Sequence, residues 1–124
     1  MITGLGVDIV EIDRMRAALE RHPRMKERLF SAEERAYCDK RSRPEVHYAL
    51  RFAAKEAVLK ALGTGWSGGI RWTDVELVSS SGGKDGLAFG GEFSRQLREK
   101  GVSGASVSIS TTRREACALV VLVG

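Results

Sequence analysis

The sequence predicts an α+β fold, a mostly antiparallel sheet packed by a long central helix and short N-terminal helices, as one domain over residues 1–124. Three observations carry this. Residues 2–12 open the chain as a short stretch rich in β-branched residues. Residues 45–62 form its middle from strong helix formers. Residues 105–110 and 116–123 close it with an alternating and a nearly continuous apolar stretch.

In chain order, residues 2–12 read as a strand interrupted by Gly4 and Gly6. Asp8 sits inside it. Burying an unpaired carboxylate is costly, so Asp8 either belongs to a site or ends the strand and caps the next element. From Asp13 to Asp39 the pattern is helical. Asp13 caps a helix over 14–21 with Met15 and Leu19 inward, and Pro23 starts a second short segment. Ser31-Ala-Glu-Glu34 is a capping-box pattern opening a third helix over 32–40. Ser42-Arg-Pro44 breaks that helix before the central one begins.

The central helix carries Phe52, Glu56 and Lys60 at spacings of four, on one stripe. Small and apolar residues fill most of the remaining surface, which predicts burial around much of its circumference. Glu56 and Lys60 are then an ordinary helical ion pair or part of a site. Gly63 is the stop, and Gly63-Thr-Gly65 leaves backbone open to the close approach of an anionic ligand. Residues 72–78 alternate as a half-buried strand, 81–86 turn, and 87–89 return, making a hairpin. Residues 92–100 form a helix with Phe93 and Leu97 inward and Gly101 as its stop. Residues 111–115 join the last two strands as a second hairpin. The apolar final strand needs cover on both faces, from the central helix or from another subunit.

Composition excludes several classes. At 43% hydrophobic content the chain is not disordered, and no run is long enough to span a bilayer. The N-terminus lacks the basic segment of a signal peptide, and Cys38 and Cys117 lack metal-type spacing, so a cytoplasmic protein with two reduced thiols is expected. Any metal would be a hard ion held by oxygen, from Asp8 and Glu56. The net charge of +4 fits an acidic protein, a phosphate-rich ligand or nucleic acid. Much of the surplus lies in Arg14, Arg16, Arg21, Arg24, Lys26 and Arg28. That stretch reads as a solvated face or, since Arg14 and Arg21 share a helical face, as a docking surface for an acidic helix.

Three pieces together resemble one family. Gly4-Leu-Gly-Val-Asp-Ile-Val-Glu-Ile12 is similar to its N-terminal signature. Arg51-Phe-Ala-Ala-Lys-Glu-Ala57 followed by Lys60-Ala-Leu-Gly-Thr-Gly65 is similar to its central one. Trp72-Thr-Asp-Val-Glu76 and the Val107–Ser110 strand fall in the family's order and spacing. The family is the holo-[acyl-carrier-protein] synthases, small bacterial 4'-phosphopantetheinyl transferases, and the resemblance covers essentially the whole chain. It implies that a serine hydroxyl of an acyl carrier protein attacks the β-phosphate of coenzyme A. Phosphopantetheine is installed and adenosine 3',5'-bisphosphate leaves.

By the same resemblance, Asp8 and Glu56 hold Mg²⁺ and act with Lys60 as the catalytic set. Mg²⁺ favours a few carboxylates plus phosphate oxygens and water, and phosphoryl transfer is mainly positioning and charge neutralisation. Arg51, Lys60, Gly63, Thr64, Gly65 and Thr111 fall at cofactor-binding positions, and Arg14, Arg21 and Arg24 at those that dock the carrier protein. A homotrimer with coenzyme A between subunits is implied too, with no nucleic-acid or membrane partner.

The chain departs from the family pattern twice. Thr111 stands where a histidine is usual, and a threonine cannot act as a base near neutral pH. A bound water, or Glu33 or Glu34, is then a candidate to take the serine proton. Gly83-Lys-Asp85 replaces a Gly-x-Pro turn near the cofactor. Two other readings compete: a trimer that binds coenzyme A or carrier protein without efficient transfer, and a nucleic-acid binder. The latter lacks a recognisable motif and a rich aromatic surface, with aromatics at 6%.

Overall fold

The central helix is the hub of the molecule. In the computed structural model, which describes residues 1–66, 68–80 and 82–124, it is α4 (Pro44–Leu62). Pro44 opens it at a position where the missing N–H costs nothing, and Gly63 ends it in the left-handed region at φ 83°. Tyr48, Leu50, Ala53, Lys55, Val58 and Leu59 are all buried, so α4 is covered on most sides, as its composition predicts.

Around it run β1 (Ile2–Glu11), α1 (Ile12–Arg21), α2 (Met25–Leu29) and α3 (Ala32–Asp39), then β2 (Val75–Ser79), β3 (Asp85–Phe89), α5 (Gly91–Glu99), β4 (Gly104–Thr111) and β5 (Glu115–Val123). The strands form two antiparallel sheets rather than one: β1-β5-β4 and β2-β3. One core joins α4 and α5 to both sheets through Ala53, Ala57, Val58, Val75, Phe93 and Val120. A second, around Phe30, Tyr48 and Leu50, joins α4 to α1, α2 and α3.

Several local expectations shift. Asp13 is not the cap of α1 but lies in its first turn, because β1 passes into the helix without a loop and Glu11 occupies the cap position. Pro23 stays in the turn ahead of α2. Ser31 and Glu34 do form a full capping box on α3. Residues 72–74 coil into a 3-10 turn instead of extending, because the Asp74 carboxylate accepts a hydrogen bond from the Arg71 backbone at 3.1 Å. The turn expected over residues 81–86 falls partly outside the described residues, at Ser81.

The outer face of the three-stranded sheet has no cover from the described residues of the protomer. Leu5, Val7, Ile9 and Leu119 are exposed there, with Leu5 at 63% and Ile9 at 61%. Among the described residues, no helix is long and apolar enough to cross a membrane.

Candidate active site

The two glycines that interrupt the first strand set the site's geometry. A Cβ on Gly6 would run into the Ala57 carbonyl oxygen of α4, and one on Gly4 into that of Ala61. Without side chains there, β1 lies against the helix backbone. The next residue in the same alternation, Asp8, is thereby aimed at the stripe of α4 that bears Glu56 and Lys60. Asp8 is therefore inside the strand, opposite Ala118 of β5, with its side chain 16% exposed.

Its partner is Lys60, whose Nζ donates to Asp8 Oδ1 at 2.8 Å and to the Val7 carbonyl at 3.2 Å. Lys60 does not pair with Glu56, so the helical ion pair open from sequence is absent among the described residues. Asp8, by hydrogen bond and charge, raises the Lys60 pKa above its ordinary value. Glu56 is half-buried and lines, with Asp8, a cavity of about 440 Å³ walled by Arg14, Met15, Met25 and Phe52. Burial first, and then the Asp8 charge, push its carboxyl above the usual range, while Lys60 and Trp66 pull the other way.

Two converging carboxylates with an excess of negative charge suit a hard divalent cation, completed by ligand oxygens and water. Among the described residues no group of three or more His, Cys, Asp or Glu could hold a metal unaided. The donor set fits an ion bound together with a phosphate-bearing ligand.

A second cavity of about 760 Å³ shares Met25 and Phe52 with the first and continues the groove to Leu29 and Trp72, under Arg21, Arg24 and Arg28. Arg14, Arg21 and Arg24, all exposed, thus rim one groove whose floor is apolar and whose end is acidic. Gly63 and Gly65 follow α4 with φ of 83° and 69°, and open space surrounds both. Thr64 lies between them, partly buried.

Arg51 and Thr111 are not brought to this cavity. Arg51 is buried against the Tyr37 ring, 4.2 Å from its centre, and donates to Ser79 Oγ at 3.3 Å. Thr111 ends β4, exposed, opposite Ala116. Glu34 is unavailable as a base: its carboxylate is buried, 2.8 Å from Lys55 Nζ, and accepts from the backbone N–H groups of Ser31 and Leu77. Glu33 is exposed on α3, beside Arg51 rather than Asp8.

The sequence reading missed Lys55. It is wholly buried, ties α4 to α3 through Glu34, and donates to the Trp72 and Val75 carbonyls. Burial holds its pKa below the ordinary value, against the attraction of Glu34. The signal was a lysine facing away from the Glu56 stripe on an otherwise apolar helix, with a capping glutamate as the nearest acidic candidate.

Comparison with known proteins matches this architecture. Residues 4–119 match the model of the 4'-phosphopantetheinyl transferase superfamily, and the chain belongs to that superfamily. It is 46% identical to a holo-[acyl-carrier-protein] synthase of Geobacter metallireducens over 98% of both chains. The crystal structure of the Neisseria meningitidis holo-[acyl-carrier-protein] synthase superposes with a TM-score of 0.92, at 32% identity over the full length of both chains. That of Helicobacter pylori, in complex with coenzyme A, does so at 0.83, with 27% identity over 96% of this chain and 99% of that one. Within the superfamily, the chain's place is among the holo-[acyl-carrier-protein] synthases.

Proposed function

We propose that the protein moves the 4'-phosphopantetheine group of coenzyme A to a serine of an apo acyl carrier protein at the Asp8–Glu56 cavity. One observation carries this reading: Asp8, Glu56 and Lys60, from β1 and α4, meet at one end of a groove whose other end is basic and apolar. Asp8 and Glu56 would hold Mg²⁺, which when bound supplies charge neutralisation on the diphosphate.

The chain's own residues supply the rest. Lys60, more than half exposed, is able to leave Asp8 and meet a diphosphate oxygen. Glu56, made more basic by burial and by Asp8, is suited to receive the serine proton through a water. Thr111 cannot do so. Gly63, Thr64 and Gly65 would let the cofactor pass close to the backbone. Arg14, Arg21 and Arg24 would dock the acidic helix of the carrier protein.

The bare apolar face of Leu5, Val7, Ile9 and Leu119 supports a homotrimer, since an exposed patch of this kind marks an interface. Arg51 and Thr111, outside the cavity, would meet coenzyme A only across a subunit boundary. The free thiols Cys38 and Cys117 fit a reducing, cytoplasmic setting.

The test is the intact mass of apo acyl carrier protein incubated with this protein, coenzyme A and Mg²⁺. A gain of one phosphopantetheine that a chelator abolishes supports the reading. Coenzyme A binding without any gain would replace it with that of a binding trimer.

A further inference from the structure

Trp66 brings an unused donor to the site. Its indole Nε1–H is buried and has no hydrogen-bond partner among the described residues, a costly condition that calls for a physical reason. The ring is held by aromatic contacts: it lies 3.8 Å from the Trp72 ring, and Trp72 stacks on Phe52 at 5.2 Å with planes 17° apart. Phe52 is one turn before Glu56 and walls the Asp8–Glu56 cavity. The ladder of three rings therefore holds Trp66 on the Glu56 side of α4.

Glu56 is its counterpart. Among the described residues its carboxylate accepts no hydrogen bond of ordinary geometry, although it is half-buried. The indole is nonetheless near enough to lower the Glu56 pKa. A buried donor lacking an acceptor thus lies beside the half-buried Glu56 carboxylate.

We propose that Trp66 is a positioning residue for Glu56: its indole N–H holds one carboxylate oxygen and leaves the other turned toward Asp8. This rests on the reading of Asp8 and Glu56 as the cation-holding pair. A partner of this kind orients the group that meets the ion, and its removal weakens metal binding or activity about 10–100-fold.

The experiment uses the full chain with coenzyme A and Mn²⁺ as the probe ion. Binding is read by electron paramagnetic resonance, and the indole N–H resonances by ¹H–¹⁵N correlation. Trp66→Phe keeps the ring and removes the N–H. It should weaken Mn²⁺ binding about 10–100-fold, and raise the half-saturating Mg²⁺ for transfer while keeping kcat at saturating Mg²⁺. In the parent protein, Glu56→Gln should move the Trp66 indole proton upfield, as its charged acceptor is lost. Unchanged Mn²⁺ binding in Trp66→Phe, or an unmoved indole proton in Glu56→Gln, would overturn the inference while leaving the metal pair intact. Should Trp66→Phe fail to fold, the Glu56→Gln spectrum decides alone. If Glu56→Gln itself binds Mn²⁺ like the parent, the metal pair and this inference fall together.

Discussion

Lys60 Nζ lies 2.8 Å from Asp8 Oδ1, so the lysine answers a carboxylate 52 positions earlier instead of Glu56, one turn back on its own helix. The contact joins β1 to α4 through Asp8, which lines the cavity, and sets a cation beside that carboxylate.

Replacing that cation tests its role in chemistry apart from folding. Lys60→Gln should lower kcat for transfer about 10²–10³-fold, the usual loss for one charge-stabilising group. The side chain is 56% exposed, and exposed pairs contribute little to stability. Thermal melts should therefore stay close to the parent's while steady-state kinetics record the loss.

Glu56 gives a stability signature with a definite sign. Its pKa is raised in the folded protein by burial and by Asp8, so the folded state holds this proton more tightly than the unfolded chain. The stability this contributes is full below the ordinary carboxylate range and is lost as pH rises through the raised value. Glu56→Gln keeps a neutral group throughout. With chelator present, its Tm should exceed the parent's near neutral pH, and the difference should shrink as pH falls below the ordinary carboxylate range.

Gly6 is where packing and function meet most directly. Gly6→Ala sets a methyl against the Ala57 carbonyl, and overpacking of this kind costs about 1–3 kcal/mol. Chemical denaturation measures that. Because the strand must move off the helix, Asp8 moves with it, and a displacement of about 1 Å costs up to about 10² in rate. The fraction that stays folded should thus transfer more slowly than the parent.

Lys55 and Glu34 form a buried pair whose members cannot be removed singly. Lys55→Met leaves the Glu34 carboxylate buried without its cation and should cost about 3–5 kcal/mol. Lys55→Met with Glu34→Gln should recover part of that loss, since a neutral amide can still accept from Ser31 and Leu77. Equilibrium unfolding of the two single variants and the double one closes the cycle.

Much of this was legible in the sequence because its local signals agreed with one another. The capping box at Ser31 and Glu34, the stop at Gly63 and the helix-former run of α4 each specify their own element. The closeness of Asp8 to the Glu56 stripe was not legible from periodicity. Gly4 and Gly6 read as breaks in a strand, and only the facing helix reveals them as the clearance that lets the backbones meet. Arg51 and Lys55 show the reverse limit. Helix periodicity tells which residues share a face, but not that α3 and β2 would close over that face and bury both charges. The 3-10 turn at Trp72 escaped because Asp74 satisfies a backbone donor locally, which alternation does not register.

The central claim is that Asp8 and Glu56 together hold a divalent cation. The most direct measurement is an anomalous difference map from crystals of the protein grown with Mn²⁺ and coenzyme A. The account predicts a peak in each protomer about 2.1 Å from a carboxylate oxygen of Asp8 and one of Glu56, with Lys60 turned away from Asp8. A peak that touches neither carboxylate, with Lys60 still paired to Asp8 beside bound coenzyme A, would contradict it.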